Sequence, residues 1–300
     1  RHTSQAQFQT NFLNILENLV AFNMNAVIFQ ISSTNDAFYP SEIVPWTRWL
    51  TGTEGTDPGW DPLEWMIAES HKRGIEFHAW MNPYNVHRSP GALKDAYLNS
   101  LSDMNFAKQN PQYVLESNTG IPGLTLNPGE PAVVDYVVSK VVEVIENYNV
   151  DAIHFDDYFY PYEGFKSGQD QATFLEHGAG MTLADWRRSN VNTMVQSVSE
   201  AIRSYNLREN KRIQFGISPF GVWCNIGSNQ CVANGAEGSV TRNNQSYVTE
   251  HADTLKWIRE EWLDYVVPQL YWGFDNLSST YSHTLDWWAN AVKDTNVNLY

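Results

Sequence analysis

The segment Pro131-Ala-Val-Val-Asp-Tyr-Val-Val-Ser-Lys-Val-Val-Glu-Val-Ile-Glu-Asn147, with Asp151-Ala-Ile-His-Phe-Asp-Asp-Tyr-Phe-Tyr-Pro161 just after it, carries the reading that decides the fold. Its first part reads as a helix fed by the turn Leu126-Asn-Pro-Gly-Glu-Pro131, with proline at the start, where its missing N–H is tolerated. Its second part reads as a short apolar strand, Ala152 to Phe155, that ends abruptly in two adjacent carboxylates among aromatic rings.

Outward from this segment the same helix-then-strand unit recurs. Phe8, Phe12, Ile15, Leu16, Leu19 and Phe22 repeat at helical spacing, and the apolar strand Ala26 to Ile31 follows. Pro62 to Arg73 has helical periodicity, stops at Gly74, and leads into a strand from Ile75 to Met81. Helices at about 182–205, 249–262 and 281–295 precede strands at 213–217, 265–270 and one opening at Val297. Six such pairs, without a run of alternating strands, predict an α/β protein whose parallel strands are covered by helices.

A (β/α)8 TIM barrel fits best. An open doubly wound sheet is the runner-up, but the Gly-rich phosphate loop after a first strand is missing. No linker rich in Pro, Gly or Ser divides residues 1–300, so a single barrel domain is expected. Six strands fall short of eight, and the reading therefore places one strand before Arg1 and another after Tyr300.

Composition narrows the function. A formal charge of −15, from 19 basic against 34 acidic residues, argues against nucleic acid as a partner. The 12 Trp, 15 Tyr and 14 Phe suit a protein that stacks rings on sugar faces, although most of them are expected in the core. No apolar run has the length of a membrane span. Cys224 and Cys231, the only two cysteines, sit in a Gly-, Asn- and Ser-rich stretch that reads as a loop pinned by a disulfide, which would place the protein outside the cytoplasm.

In a barrel the chemistry lies in the loops after the strands. Alternation along Ile153-His154-Phe155-Asp156 aims His154 and Asp156 into the mouth and Phe155 outward. Asp156 is the principal catalytic candidate. Asp157 can turn inward too, and two neighbouring carboxylates push their pKa values apart, giving the ionised and protonated pair that glycoside hydrolysis uses. Alternatively Asp157 caps its loop or binds a structural cation. Asp36, in the loop Ser32-Ser-Thr-Asn-Asp36-Ala-Phe-Tyr39-Pro, is the third candidate, unless it only bonds local backbone. His78, Trp80 and Asn82 share one face of their strand, with Tyr84 just beyond. Together with His154, Tyr158, Ser218, Gln269, Tyr271 and Trp272 they are the candidate substrate-binding residues; His78 can equally be a satisfied core histidine, and Tyr271 and Trp272 core packing.

Six motifs in order carry a resemblance: Ala-Val-Ile-Phe-Gln, Asp36-Ala-Phe-Tyr-Pro-Ser41, His78-Ala-Trp-Met-Asn-Pro83, Ile153-His-Phe-Asp-Asp-Tyr-Phe-Tyr-Pro161, Gly216-Ile-Ser-Pro-Phe-Gly221 and Pro268-Gln-Leu-Tyr-Trp272. Over practically all of its residues the chain resembles the bacterial glycosyl-hydrolase-like 10 family. The resemblance implies a TIM-barrel glycosidase, exported or lipid-anchored, acting on peptidoglycan glycan strands that lack stem peptides. It also implies a first strand before Arg1 and further chain beyond Tyr300. One local departure is Ser32-Ser33, where the family often carries Arg-Pro.

The sequence thus predicts an exported glycoside hydrolase acting on an amino-sugar, cell-wall-type glycan by carboxylate chemistry, with no cofactor and no metal. Two rivals stand beside it. One is a metal-dependent polysaccharide hydrolase or deacetylase using His154 and the Asp pair as ligands; the other is a glycan-binding barrel without catalysis.

Overall fold

The structure, a computed structural model, describes residues 4–89, 91, 93–117, 122–162, 164–166 and 168–300. Among the described residues nine strands form two sheets: β1 (Ala26–Ser32), β2 (Glu76–Met81), β3 (Asn85–His87), β4 (Val114–Glu116), β5 (Leu124–Leu126), β6 (Ala152–Phe155), β7 (Gln214–Ile217), β8 (Tyr265–Val266) and β9 (Asn298–Leu299). The larger sheet is wholly parallel, in the order β1-β2-β6-β7-β8-β9. Its strands follow one another sequentially, as barrel staves do. A doubly wound sheet would reverse direction at a switch point. Among the described residues no ladder joins β9 to β1.

The smaller sheet, β3-β5-β4, is antiparallel and inserted between β2 and helix Pro131–Asn147. None of its three strands is among those the sequence predicts. Three-residue strands are too short to display an alternating pattern.

Alternation separates the two faces of the parallel sheet. Phe77, Ala79, Ile153, Phe155, Phe215 and Ile217 point outward and are buried under helices. Above them lie Phe12 and Leu16 of helix Gln5–Ala21 and the valines of helix Pro131–Asn147. Burial of these side chains stabilises the layer by roughly 1.5–3 kcal/mol each. The inward face carries His78, Trp80, His154, Gly216 and Tyr265, mostly polar, which a sequence-local view would not expect inside a protein.

Two aspartates repeat one device at the base of the sheet. Asp151 Oδ2 accepts from the backbone N–H of Phe77 at 2.7 Å, and Asp264 Oδ2 accepts from that of Phe215 at 2.7 Å. Each pins the start of its strand, β6 or β8, to the preceding neighbour. At the opposite end of β1 the register with β2 slips between Gln30 and Ser32, where the chain turns into the following loop.

Cys224 and Cys231 are disulfide-bonded, their Cα atoms 6.2 Å apart, in the long loop after β7. The cystine packs with Trp223, Tyr247 and Leu255 in a small cluster of its own. Among the described residues no helix is long and apolar enough to cross a membrane.

Candidate active site

The carboxyl ends of the strands surround a cavity of about 470 Å³. From β1 comes Gln30, from β2 Trp80 with Asn82 just after it, and from β6 His154 with Asp156 and Tyr158 just after it. Ser218 follows β7, and Gln269 and Tyr271 follow β8. Sequential strands thus deliver side chains to one spot because alternation repeats in register across the sheet. A larger cleft, about 1080 Å³, lies on the outer wall between helices Pro62–His71 and Pro131–Asn147. It carries five carboxylates, Glu42, Asp61, Glu64, Glu143 and Glu146, and is built from helix surfaces, away from the strand ends.

Asp156 is the carboxylate on the cavity. Its Oδ1 accepts from Gln269 Nε2 at 2.9 Å and from the Asp157 backbone N–H at 2.9 Å. Burial raises its pKa, while these donors, Asp157 and the Arg88 guanidinium pull it back. Asp157 lies behind it, 3% exposed, and is not among the cavity-lining residues. Burial and the neighbouring charge of Asp156 push Asp157 up to about 8, against the hydroxyl of Tyr162, which donates to Oδ2. Of the pair, Asp157 is the one held toward its protonated form, by burial and by the charge of Asp156. Tyr162 is in turn pushed up, by burial first and then by Asp157.

Several sequence candidates lie elsewhere. Asp36 is 1% exposed and committed to its own loop: it accepts from the backbone N–H groups of Ser33 and Thr34 at 2.9 Å each, and from Thr47 Oγ1 at 2.5 Å. These bonds leave it organising the turn rather than lining the cavity. Tyr84 is wholly buried under the small sheet. Trp272 packs edge-on against Phe220, ring centroids 5.7 Å apart. His78 faces inward as alternation predicts, but deeper than the cavity, and both its ring nitrogens are engaged within the sheet.

That engagement is part of a continuous chain. Glu76 Oε2 lies 3.1 Å from His78 Nε2, and His78 Nδ1 lies 2.8 Å from Tyr265 Oη. Tyr265 Oη is 3.1 Å from His154 Nδ1, and His154 Nε2 is 2.8 Å from Ser218 Oγ. Burial above all lowers His154 to about 3, so it stays neutral. The ring of Tyr265 fits because Gly216 opposes it: a Cβ there would lie 2.0 Å from Tyr265 Cζ. Among the described residues no group of three or more His, Cys, Asp or Glu gathers as a metal site would require.

Five contributors escaped the sequence reading, among them Tyr162 against Asp157 and Tyr265 between the histidines. Gln30 was findable, since it is a polar residue at alternate spacing in an apolar strand. Arg88 reaches the cavity from the end of β3, whose presence the sequence did not reveal. Glu250, fully buried, accepts from Asn244 Nδ2 at 2.8 Å and Thr249 Oγ1 at 2.7 Å; burial raises it to about 7, and its charge adds to the upward shift of Asp157.

The chain is 41% identical over 294 residues to glycosyl hydrolase YngK of Bacillus subtilis (strain 168), which covers 96% of this chain and 54% of that protein. It is 37% identical over 302 residues to glycosyl hydrolase DigH of Escherichia coli (strain K12), covering 99% of this chain and 66% of the relative. The chain thus spans about half to two thirds of the length of these relatives. Among solved structures, alpha-L-fucosidase isoenzyme 2 from Paenibacillus thiaminolyticus aligns with 86% of the chain and 36% of its own length, at 12% identity and a TM-score of 0.46. The family model described as glycosyl hydrolase-like 10 matches residues 3–300, and the chain belongs to that family.

Proposed function

We propose that this domain hydrolyses a glycosidic bond in an amino-sugar glycan of bacterial cell-wall type, outside the cytoplasm, with Asp156 as the reacting carboxylate. The observation that carries the reading is the unequal setting of the carboxyl pair: Asp156 lines the cavity and accepts from Gln269, whereas Asp157 is buried behind it, where burial and the charge of Asp156 push its pKa up. Such a split supplies an anion able to act as nucleophile or to stabilise an oxocarbenium-like transition state. Asp157 is the proton-holding partner that fixes Asp156 in its charged form. Trp80 and Tyr271 offer ring faces to the sugar, and Asn82, Ser218 and Gln269 offer hydrogen bonds.

The relatives named glycosyl hydrolases support the reaction class, and the motif resemblance supports the cell-wall substrate. The Cys224–Cys231 disulfide supports an oxidising compartment. The test is incubation of the full-length protein with purified glycan strands, with and without stem peptides, followed by product masses and reducing-end counts. Release of reducing ends that disappears in Asp156→Asn, with glycan binding retained, is the expected result. Hydrolysis surviving in that variant overturns the role of Asp156, and binding without release in the unaltered protein favours a non-catalytic glycan-binding domain.

A further inference from the structure

The chain from Glu76 to Ser218 has a direction. A carboxylate only accepts, so the proton between Glu76 and His78 belongs to His78 Nε2. If this is the ring's one proton, Nδ1 is bare and accepts the hydroxyl proton of Tyr265. Having given its one proton, Tyr265 Oη accepts from His154 Nδ1–H. His154, neutral in its buried setting, is left with a bare Nε2, and the partner at 2.8 Å that can donate to it is Ser218 Oγ–H.

We infer that Tyr265 is a positioning residue that fixes both histidine tautomers and so turns Ser218 toward the cavity with only its lone pairs, selecting a hydrogen-bond donor of the ligand, a sugar hydroxyl or acetamido N–H. The naming of a sugar rests on the proposed function; the tautomers do not. Tyr265 suits the task because Gly216 leaves room for its ring, which lies between the imidazoles, with ring centroids 5.3 Å from His78 and 5.8 Å from His154. Buried polar groups joined in this way hold one arrangement, since any member turned the wrong way would leave a donor or acceptor unpaired.

The experiment is long-range 1H–15N correlation on full-length protein labelled with 15N-histidine, with the two signals assigned from His78→Gln and His154→Gln. The unaltered protein should show His154 protonated at Nδ1 alone and His78 at Nε2 alone. Tyr265→Phe, which keeps the ring, should move the His154 proton to Nε2. A doubly protonated His78, or His154 already protonated at Nε2, overturns the directed chain. Calorimetric titration with chitotetraose completes the test: Ser218→Ala should bind about fivefold or more weakly, the loss of one hydrogen bond. Equal binding overturns the ligand-donor role, whereas no binding by the unaltered protein counts against the sugar reading and leaves the tautomer result standing.

Discussion

Gln269 holds Asp156 in place: its Nε2 donates to Asp156 Oδ1 at 2.9 Å and to the Ser218 carbonyl at 3.1 Å, tying together the ends of three strands. A hydrogen bond to a charged group contributes roughly 1.5–3 kcal/mol. Gln269→Leu should therefore lower kcat/KM for glycan hydrolysis by roughly 10- to 150-fold, the same energy expressed as a rate. Unchanged circular dichroism alongside unchanged kinetics would show that the bond does not support Asp156 in its proposed role.

The buried carboxyl groups behind Asp156 make stability fall as pH rises. Asp157 is raised to about 8 and Glu250 to about 7, both first by burial. In the unfolded chain such groups titrate near 4. Between those values the native state binds more protons than the unfolded state, so the slope of unfolding free energy against pH is negative. The stability these groups contribute is complete below about pH 4 and lost once pH has passed their folded values. Urea midpoints measured from pH 5 to pH 9 should decline, and Asp157→Asn should flatten the decline. An equally steep fall in the variant would mean that Asp157 is not protonated in the native protein at neutral pH.

The parallel sheet was legible because strands covered by helices must be apolar outward, and their neighbours are amphipathic helices. Helix Pro131–Asn147 and strand Ala152–Phe155 fall where the sequence places them. The strand read at 265–270 is a ladder at Tyr265 and Val266, beyond which the N–H groups of Val267 and Gln269 still donate to the Ile217 and Pro219 carbonyls. The helix read from Thr249 begins instead at Thr254, where the Asp253 side chain caps it by accepting from Lys256 N–H. At the site, alternation separated Asp156 from Phe155 correctly but said nothing of depth, so His78 was indistinguishable from Trp80. Asp36 takes the alternative the sequence left open, bonding the local backbone of Ser33 and Thr34, and Thr47 folds back to add a further donor. Arg88 and Glu250 arrive through tertiary contacts with no local signature.

The disulfide closes a short loop, Cys224 and Cys231 being seven positions apart. The chain-entropy relation gives about 2–3 kcal/mol for a loop of this size. Paired replacement of both cysteines by serine should lower the thermal midpoint, and adding a reductant should lower that of the unaltered protein but not of the variant. The cystine also packs against Trp223 and Tyr247, so near-ultraviolet dichroism of the variant should lose aromatic signal. A thermal midpoint unmoved by both treatments would show that the loop is held by its hydrogen bonds instead.

Gly216 and Tyr265 form a matched pair, a missing side chain opposite a large one, with Tyr265 centred between two histidines. Alanine at 216 would place a carbon 2.0 Å from the Tyr265 ring, and neighbouring β7 and β8 are hydrogen-bonded there in register, so the ring must move. Overpacking of this sort costs about 1–3 kcal/mol before the lost hydrogen bonds are added. Gly216→Ala should therefore destabilise the protein strongly, whereas the same substitution made in a Tyr265→Leu background should cost much less, because leucine vacates the space. The double-mutant cycle isolates this dependence as a coupling of about 0.5–3 kcal/mol, read from denaturant midpoints. Additive effects of the two substitutions would mean that the ring adapts without strain, and that the glycine is not what holds Tyr265 between its histidines.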